Sequence, residues 1–379
     1  MAQAAAPTRL EPTTAAQAAA LLRDARAVRI RGGATKLAWG RPVAADAELS
    51  TARLDGLVAH HAGDLTAIVQ SGLPLARAQA AFAAAGQMLA LDPPDGGATV
   101  GGVVATGDSG PLRHRYGAPR DLVLGVQVAL PDGTVARAGS RVIKNVAGYD
   151  LAKLMSGACG TLGLLTELTV RLHPLPRGWR TAVGRGDDPA ALAHAAQALA
   201  HRPLEAEALD LRWAGGDGAV LARFAGPAAD ARAAAAARAL ADDGLAAAVV
   251  ADDGPLWDAQ RAGQRGPLTV RVSATQTQLG ALLVAARGEG ARLVARAALG
   301  LAWLTLPPAA PAAQAAAVGR LRAALAPAPC VVLEAPAAVR AAVDPWGPVD
   351  PALLALMRRV KARFDPERRC NPGLFAGGI

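Results

Sequence analysis

Cysteine is scarce in this 379-residue chain, and its three residues, Cys159, Cys330 and Cys370, stand far apart. An odd number, with no CxxC spacing and no cysteine–histidine pair, excludes a zinc site or an iron–sulfur cluster ligated by this chain alone. Free thiols also fit a reducing compartment. Aromatic residues make up only 3% of the chain, and none interleave with cations as they do in proteins that stack single-stranded bases. Lysine occurs only at Lys36, Lys144, Lys153 and Lys361, so the net charge of +9 rests on singly scattered arginines. Without a basic tract, nucleic acid is not the expected partner. No uninterrupted apolar run reaches membrane-spanning length. The opening residues MAQAAAPTRLEP lack the basic-then-apolar order of a signal peptide. The expectation is a cytoplasmic protein, at most peripheral on the inner face of the cell membrane through a partner.

What is abundant is alanine, glycine and apolar residues in general, the last at 52%. That fraction supports a buried core, and the length favours two domains. Alanine-rich stretches over 228–241 and 312–326 read as helices, because alanine costs least to place in one. No fixed-period repeat is present. In the first half, glycine punctuates short apolar runs. The pattern predicts helices over 15–25, 74–85 and 150–155, and strands over 27–31, 65–71, 87–91, 123–130, 134–138 and 163–172, with Pro131-Asp132-Gly133 as a hairpin turn. After Pro176 the texture changes to long Ala/Leu/Arg helices alternating with strands over 207–213, 219–224 and 268–272. That suggests helices on one face of an antiparallel sheet. A last helix over 353–364 leads into FDPERRCNPGLF, a rigid tail of the kind that docks.

Three glycine-dense clusters carry the chemistry. Arg31-Gly32-Gly33-Ala34-Thr35-Lys36 ends a strand and lets backbone N–H groups approach a phosphate without Cβ interference. It is not GxGxxG, and alone it would read as an ordinary strand-end turn. The run over 93–110, PPDGGATVGGVVATGDSG, holds too much glycine for a helix or strand interior, and reads as backbone wrapped closely around a bulky anionic ligand. The third cluster, Ser156-Gly157-Ala158-Cys159-Gly160-Thr161-Leu162-Gly163, stands directly before a strand. Three such clusters imply one extended ligand touched in several places, and a dinucleotide such as FAD has that length.

The stretches RGGATK, DPP with TVGGVVATGDSG, RHRYGAPRDLVLGVQVALPDG, KNVAGYDLAKLMSGACGTLGLLTELTVRLHP and the terminal FDPERRCNPGLF, in that order, resemble the vanillyl-alcohol-oxidase family, whose FAD-binding domain is of the p-cresol methylhydroxylase (PCMH) type. Within it, the likeness is to the flavin subunits of glycolate-oxidising complexes. It covers nearly half of the chain plus the tail. The fold it implies is α+β: a PCMH-type FAD-binding domain over 1–175, with subdomains of about 1–52 and 53–175, an α+β cap over 176–340, and a helix and tail over 341–379 returning to the FAD domain. Carried over by motif, Gly32, Gly33, Ala34 and Thr35 would hold the pyrophosphate, with Arg31 and Pro93 also at the cofactor. Gly101, Gly102, Thr106, Ser109 and Gly110 would line the pyrophosphate and ribityl chain, and Gly157, Gly160, Thr161 and Gly163 would complete the cradle. Relatives that attach FAD covalently use a histidine or cysteine. The first loop has neither, so non-covalent FAD is expected.

The resemblance further implies oxidation of a small 2-hydroxy acid, glycolate to glyoxylate. The partners it implies are a paralogous FAD-containing catalytic subunit and an iron–sulfur subunit that takes the electrons. A self-sufficient oxidoreductase for another hydroxy acid or alcohol, and a scaffold with non-catalytic FAD, are the alternatives. Oxidising a 2-hydroxy acid calls for a base and a cationic carboxylate clamp. His114, between Arg113 and Arg115, is the local cluster offering both; the plainer reading is a solvated loop whose arginines pair with Asp108 or Asp121. Tyr149 and Asp150 either face the flavin or start the following helix. His60 and His61 read as surface residues. Related catalytic subunits carry a histidine-rich metal patch in the cap, where this chain has only His194 and His201, without a carboxylate at ligand spacing. No metal site is expected, and the flavin would serve electron transfer or a site that a partner completes.

Overall fold

A computed structural model describes residues 7–94, 96–139 and 150–379, and the chain divides into two compact units. The first comprises residues 1–109, 117–175 and 349–379; the second comprises 110–116 and 176–348. Two boundaries differ from the sequence reading. The segment 110–116 groups with the second unit, and the chain rejoins the first at Val349 rather than at 341.

In the first unit a parallel three-stranded sheet pairs Thr8–Leu10 and Val28–Arg31 on either side of Ala47–Ser50. The helix Ala15–Asp24 links the first two strands. Thr14 caps it by accepting a hydrogen bond from the Gln17 N–H, and Ala18, Ala19 and Leu22 form its buried face. That face packs with Val28, Leu49, Ala129, Leu164 and the tail residue Cys370. A five-stranded antiparallel sheet follows, in the order Leu57–His61, Thr66–Gln70, Leu164–Arg171, Val123–Ala129, Val135–Gly139. The β-branched, apolar TAIVQ of its second strand suits a pleated surface buried on both faces.

The second unit is built on an eight-stranded antiparallel sheet. Its strand order is Ala246–Val250, Arg180–Gly186, Asp217–Phe224, Ala208–Ala214, Arg292–Arg296, Leu301–Thr305, Thr269–Ser273, Cys330–Glu334. The helices Pro189–Ala200, Ala229–Asp242, Leu279–Gly288 and Pro311–Ala324 share one core with alternate strand residues such as Leu209, Leu211 and Trp213. The intervening residues, Asp210 and Arg212 among them, therefore point to the opposite face. There the helix Gly254–Ala262 buries Trp257 against Val183, Ala208, Ala219 and Leu221. Asp210 and Arg296 form a fully buried ion pair at 2.6 Å on this face, with Gln260 donating to the same carboxylate oxygen at 2.9 Å. Among the described residues no helix is long and apolar enough to cross a membrane.

Candidate functional site

The strand Val28–Arg31 delivers the first glycine cluster. Arg31 itself is held by Glu48, 2.7 Å from its guanidinium. Gly32 and Gly33 are required by close approach to the second cluster. A Cβ on Gly32 would lie 2.3 Å from Thr99 Oγ1, and one on Gly33 would lie 2.0 Å from the Gly97 carbonyl oxygen. Ala34 adopts a left-handed φ of 63°, which costs a non-glycine residue about 1–2 kcal/mol. The consequence is functional. The backbone N–H groups of Gly32, Gly33, Ala34 and Thr35 donate to no acceptor among the described residues. A run of such donors around a left-handed residue makes an anion-binding concavity. Lys36 is buried and lies 3.2 Å from Asp108 Oδ2, so its charge is compensated within the protein.

The second cluster is a helix, Val100–Thr106, rather than the open wrapping loop expected from its glycines. Val100, Val103 and Val104 supply an apolar stripe at i, i+3 and i+4 that outweighs the poor helix propensity of glycine. Its first-turn donors are all satisfied internally. Val100 N–H donates to the Leu73 carbonyl (2.9 Å), Gly101 N–H to the Ser71 carbonyl (2.8 Å), and Gly102 N–H to Thr99 Oγ1 (3.1 Å). Gly101 answers to packing, since a Cβ would meet Ser71 Cβ at 2.5 Å. Gly102 is half-buried, and a Cβ there meets only Thr99 Oγ1, at 3.0 Å. Thr106 Oγ1 donates to the Gly102 carbonyl at 2.8 Å. Pro93, Ser109 and Gly110 are buried, and the Ser109 N–H donates to Asp108 Oδ1 at 3.0 Å.

The third cluster packs on the end of that helix. Gly157 N–H donates to the Val104 carbonyl at 3.0 Å, and Cys159 N–H to the Ala105 carbonyl at 2.7 Å. Thr161 Oγ1 donates to the Ala158 carbonyl at 2.7 Å. Gly160, at φ 69°, packs beside Ile30 of the first strand and Asn371 of the tail. Gly163 serves close packing: a Cβ would lie 2.8 Å from the Ala129 carbonyl oxygen. All three clusters, Gly110 apart, thus meet within one compact unit. Asp150 accepts a hydrogen bond from the Lys153 N–H at 3.1 Å, so it starts the helix Leu151–Met155; Tyr149 lies outside the described residues.

The second unit holds the other candidates. Arg113 and His114 sit on a short helix, Arg113–Tyr116, that lies against the strand Ala208–Ala214. The partner of Arg115 differs from those expected. Arg115 pairs with Glu207 at 3.3 Å, whereas Asp108 faces Lys36 and Asp121 faces Arg120. Tyr116 Oη donates to the same Glu207 at 2.7 Å, and burial together with that carboxylate pushes the phenol up. His114 Nδ1 is buried with no hydrogen-bond partner among the described residues. Burial, and then Arg115, hold the imidazole below its ordinary value. One residue was missed by sequence reasoning. Arg212 is half-buried and meets no acceptor among the described residues, while Arg185 flanks it across Ala219 on the same sheet face. Burial and then Arg185 push the Arg212 guanidinium below its ordinary value. His60 is no plain surface residue: its Nε2 lies 2.8 Å from Gln87 Oε1 and its ring stacks edge-on to Phe82. His194 is 4.0 Å from Asp243 Oδ1, and His201 Nδ1 is 2.7 Å from the Gln197 carbonyl.

Residues 7–139 match the family model described as an FAD binding domain, and residues 348–374 match the C-terminal domain of FAD linked oxidases. The chain carries a PCMH-type FAD-binding domain. Both matched segments lie within the first compact unit, apart from 110–116 and residue 348. Over 150 residues, 39% of this chain, the sequence is 43% identical to the glycolate oxidase subunit GlcE of Escherichia coli. It is 42% identical over 117 residues, 31% of this chain, to a mitochondrial D-lactate dehydrogenase [cytochrome] of Arabidopsis thaliana. These matches span 43% and 20% of those relatives' own lengths. Among solved structures, an alkyldihydroxyacetonephosphate synthase aligns over 96% of this chain and 76% of its own, with a TM-score of 0.70 at 16% identity. A chitooligosaccharide oxidase aligns over 95% of this chain and 89% of its own, with a TM-score of 0.67 at 17% identity. The fold is therefore the PCMH-type α+β architecture over nearly the whole chain.

Proposed function

We propose that this chain is an FAD-dependent oxidoreductase acting on CH–OH groups, the flavin subunit of a complex that oxidises glycolate to glyoxylate. The observation that supports it most is the 43% identity to a glycolate oxidase subunit across the FAD-binding segment. FAD would be held non-covalently, because the loop Gly32–Thr35 offers a pyrophosphate N–H donors that have no acceptor among the described residues, but offers a flavin ring no histidine or cysteine. Gly102, Thr106, Gly157, Gly160 and Thr161 would line the cofactor, with Pro93, Ser109 and Gly110 beside them. Gly101 and Gly163 would act by letting backbone pack closely, and Arg31 by anchoring the strand through Glu48. When bound, the flavin supplies the two-electron acceptor.

The chain's own residues supply the rest. Oxidation of a hydroxy acid also releases the hydroxyl proton, and His114, whose neutral form burial favours, has an Nδ1 without a partner among the described residues that could take it. Arg212, with no carboxylate partner among the described residues, would clamp the substrate carboxylate, with Arg113 as a further cation. A paralogous flavoprotein and an iron–sulfur subunit would complete the complex. The word "subunit" in the GlcE relative's name supports assembly, and the chain's three separated cysteines fit a cluster held by another subunit.

The D-lactate dehydrogenases among the relatives favour a second reading, a self-sufficient oxidase of another 2-hydroxy acid. One experiment separates the two. The chain is purified alone and with its co-expressed partners, and each is tested with glycolate and D-lactate against an artificial acceptor. Glycolate-specific turnover that requires the partners supports the first reading; turnover of D-lactate by the lone chain supports the second. A colourless, flavin-free protein would sink both.

A further inference from the structure

The tail, 341 positions distant in sequence from the first loop's strand, is tied to the glycine clusters by buried polar side chains rather than by apolar packing alone. Lys361, on the helix Pro351–Phe364, is 3% exposed. Its ammonium donates to the Thr161 carbonyl (2.6 Å), Asp365 Oδ2 (2.7 Å) and the Cys370 carbonyl (3.0 Å). All three of its donors are thereby used. Asn371, 4% exposed, does something more specific. Its Oδ1 accepts from the Ile30 N–H at 2.8 Å, and its Nδ2 donates to the Cys159 carbonyl at 2.7 Å. Its own N–H donates to the Val28 carbonyl at 2.9 Å.

Ile30 lies on the strand that ends in the Gly32–Thr35 loop, and Cys159 directly precedes Gly160 of the third cluster. One carboxamide, a donor and an acceptor at fixed spacing, therefore sets the separation of two clusters that come from distant parts of the chain. The backbone conformation agrees with this role. Asn371 adopts a left-handed φ of 44°, where asparagine is enriched over other side chains and only glycine is freer. Gly160 leaves room for the amide, since a Cβ there would lie 2.9 Å from Asn371 Nδ2.

We propose that Asn371 is a positioning residue for FAD: it holds the first-loop strand and the third cluster at the separation the cofactor needs, without touching the reacting atoms. The proposal rests on the reading of these clusters as the FAD cradle. Two substitutions separate its arms. Asn371→Gly keeps the left-handed backbone and removes both hydrogen bonds. Asn371→Asp keeps the acceptor for Ile30 but sets a carboxylate oxygen against the Cys159 carbonyl.

The test is titration of each apoprotein with FAD, followed by quenching of flavin fluorescence, alongside the thermal midpoint of the apoprotein and the visible spectrum of the bound flavin. Asn371→Gly should raise the Kd for FAD at least tenfold and blur the fine structure of the bound flavin's visible band. Asn371→Asp should fall between it and the parent. A role confined to stability would lower the apoprotein midpoint while leaving the Kd within twofold, and that result overturns the proposal. If Asn371→Gly does not fold, the same comparison is decided by Asn371→Asp. Parent apoprotein that takes up no FAD would instead sink the cradle reading itself.

Discussion

Lys36 and Asp108 form a buried ion pair, Nζ to Oδ2 at 3.2 Å, with side-chain exposures of 5% and 2%. It joins the end of the first glycine loop to the residue pair that closes the helix Val100–Thr106, so the pair fixes two clusters against each other. Two charges this deep stabilise only together, because either one alone has lost its water. Lys36→Met should lower the unfolding free energy of the apoprotein by about 3–5 kcal/mol. The double variant Lys36→Met/Asp108→Leu should recover most of that loss. Denaturant titration of the three proteins checks it, and additive losses in the double variant would contradict the pair.

The contact of Gly33 with the Gly97 carbonyl makes a sharper test of the loop. A Cβ at Gly33 would stand 2.0 Å from that oxygen, so the loop must shift, and the N–H groups of Gly32–Thr35 shift with it. Gly33→Ala should reduce bound FAD per chain at least tenfold. Gly63→Ala, where a Cβ meets nothing within 4 Å, should leave it unchanged. Flavin released on acid denaturation, measured against protein concentration, gives both numbers.

Much of this was legible in the sequence, and the failures have physical causes. The strands Thr66–Gln70, Val123–Ala129 and Leu164–Arg171 fall within a residue or two of their expected limits, because β-branched alternation and flanking turns mark them. The short strands Thr8–Leu10 and Ala47–Ser50 show too little pattern to be seen and exist through parallel pairing. The helix Val100–Thr106 was obscured by Gly101 and Gly102, yet tertiary packing overrode their low propensity. Glycine density proved ambiguous for the same reason: Gly101 and Gly163 report close backbone packing, whereas Gly32 and Gly33 report packing and a donor-rich loop together. Arg212 could not be found from DLRWA alone. Its significance depends on the register that sets Arg185 beside it two strands away.

That register yields a prediction about Arg212. A guanidinium with a cationic neighbour and no acceptor among the described residues adds nothing to stability by ion pairing. Arg212→Met should therefore leave the unfolding free energy within about 1 kcal/mol of the parent, since methionine retains the apolar stem. If Arg212 clamps the substrate carboxylate, the same change should raise KM for the hydroxy acid about 10- to 100-fold, the scale of one charge-assisted hydrogen bond. Steady-state kinetics of the complex and denaturant titration of the chain test the two halves separately. An unchanged KM would remove Arg212 from the site.

If His114 takes the substrate's hydroxyl proton, its state sets the pH dependence of turnover. Its imidazole lies below the ordinary value of 6.5, first through burial and second through Arg115. For a group depressed on folding, the stability contribution is complete above pH 6.5 and is lost as pH falls toward the native value, where the folded state finally takes up the proton. The neutral form that can accept a hydroxyl proton thus persists to lower pH than in a free histidine. The acid limb of kcat/KM should accordingly lie below pH 6.5. Arg115→Ala, which removes the second cause, should move that limb upward toward the ordinary value. His114→Gln should lower kcat by about 100- to 10,000-fold, the range expected for loss of a general base, and abolish the limb. An acid limb that survives unchanged in His114→Gln would assign the proton acceptor to another residue.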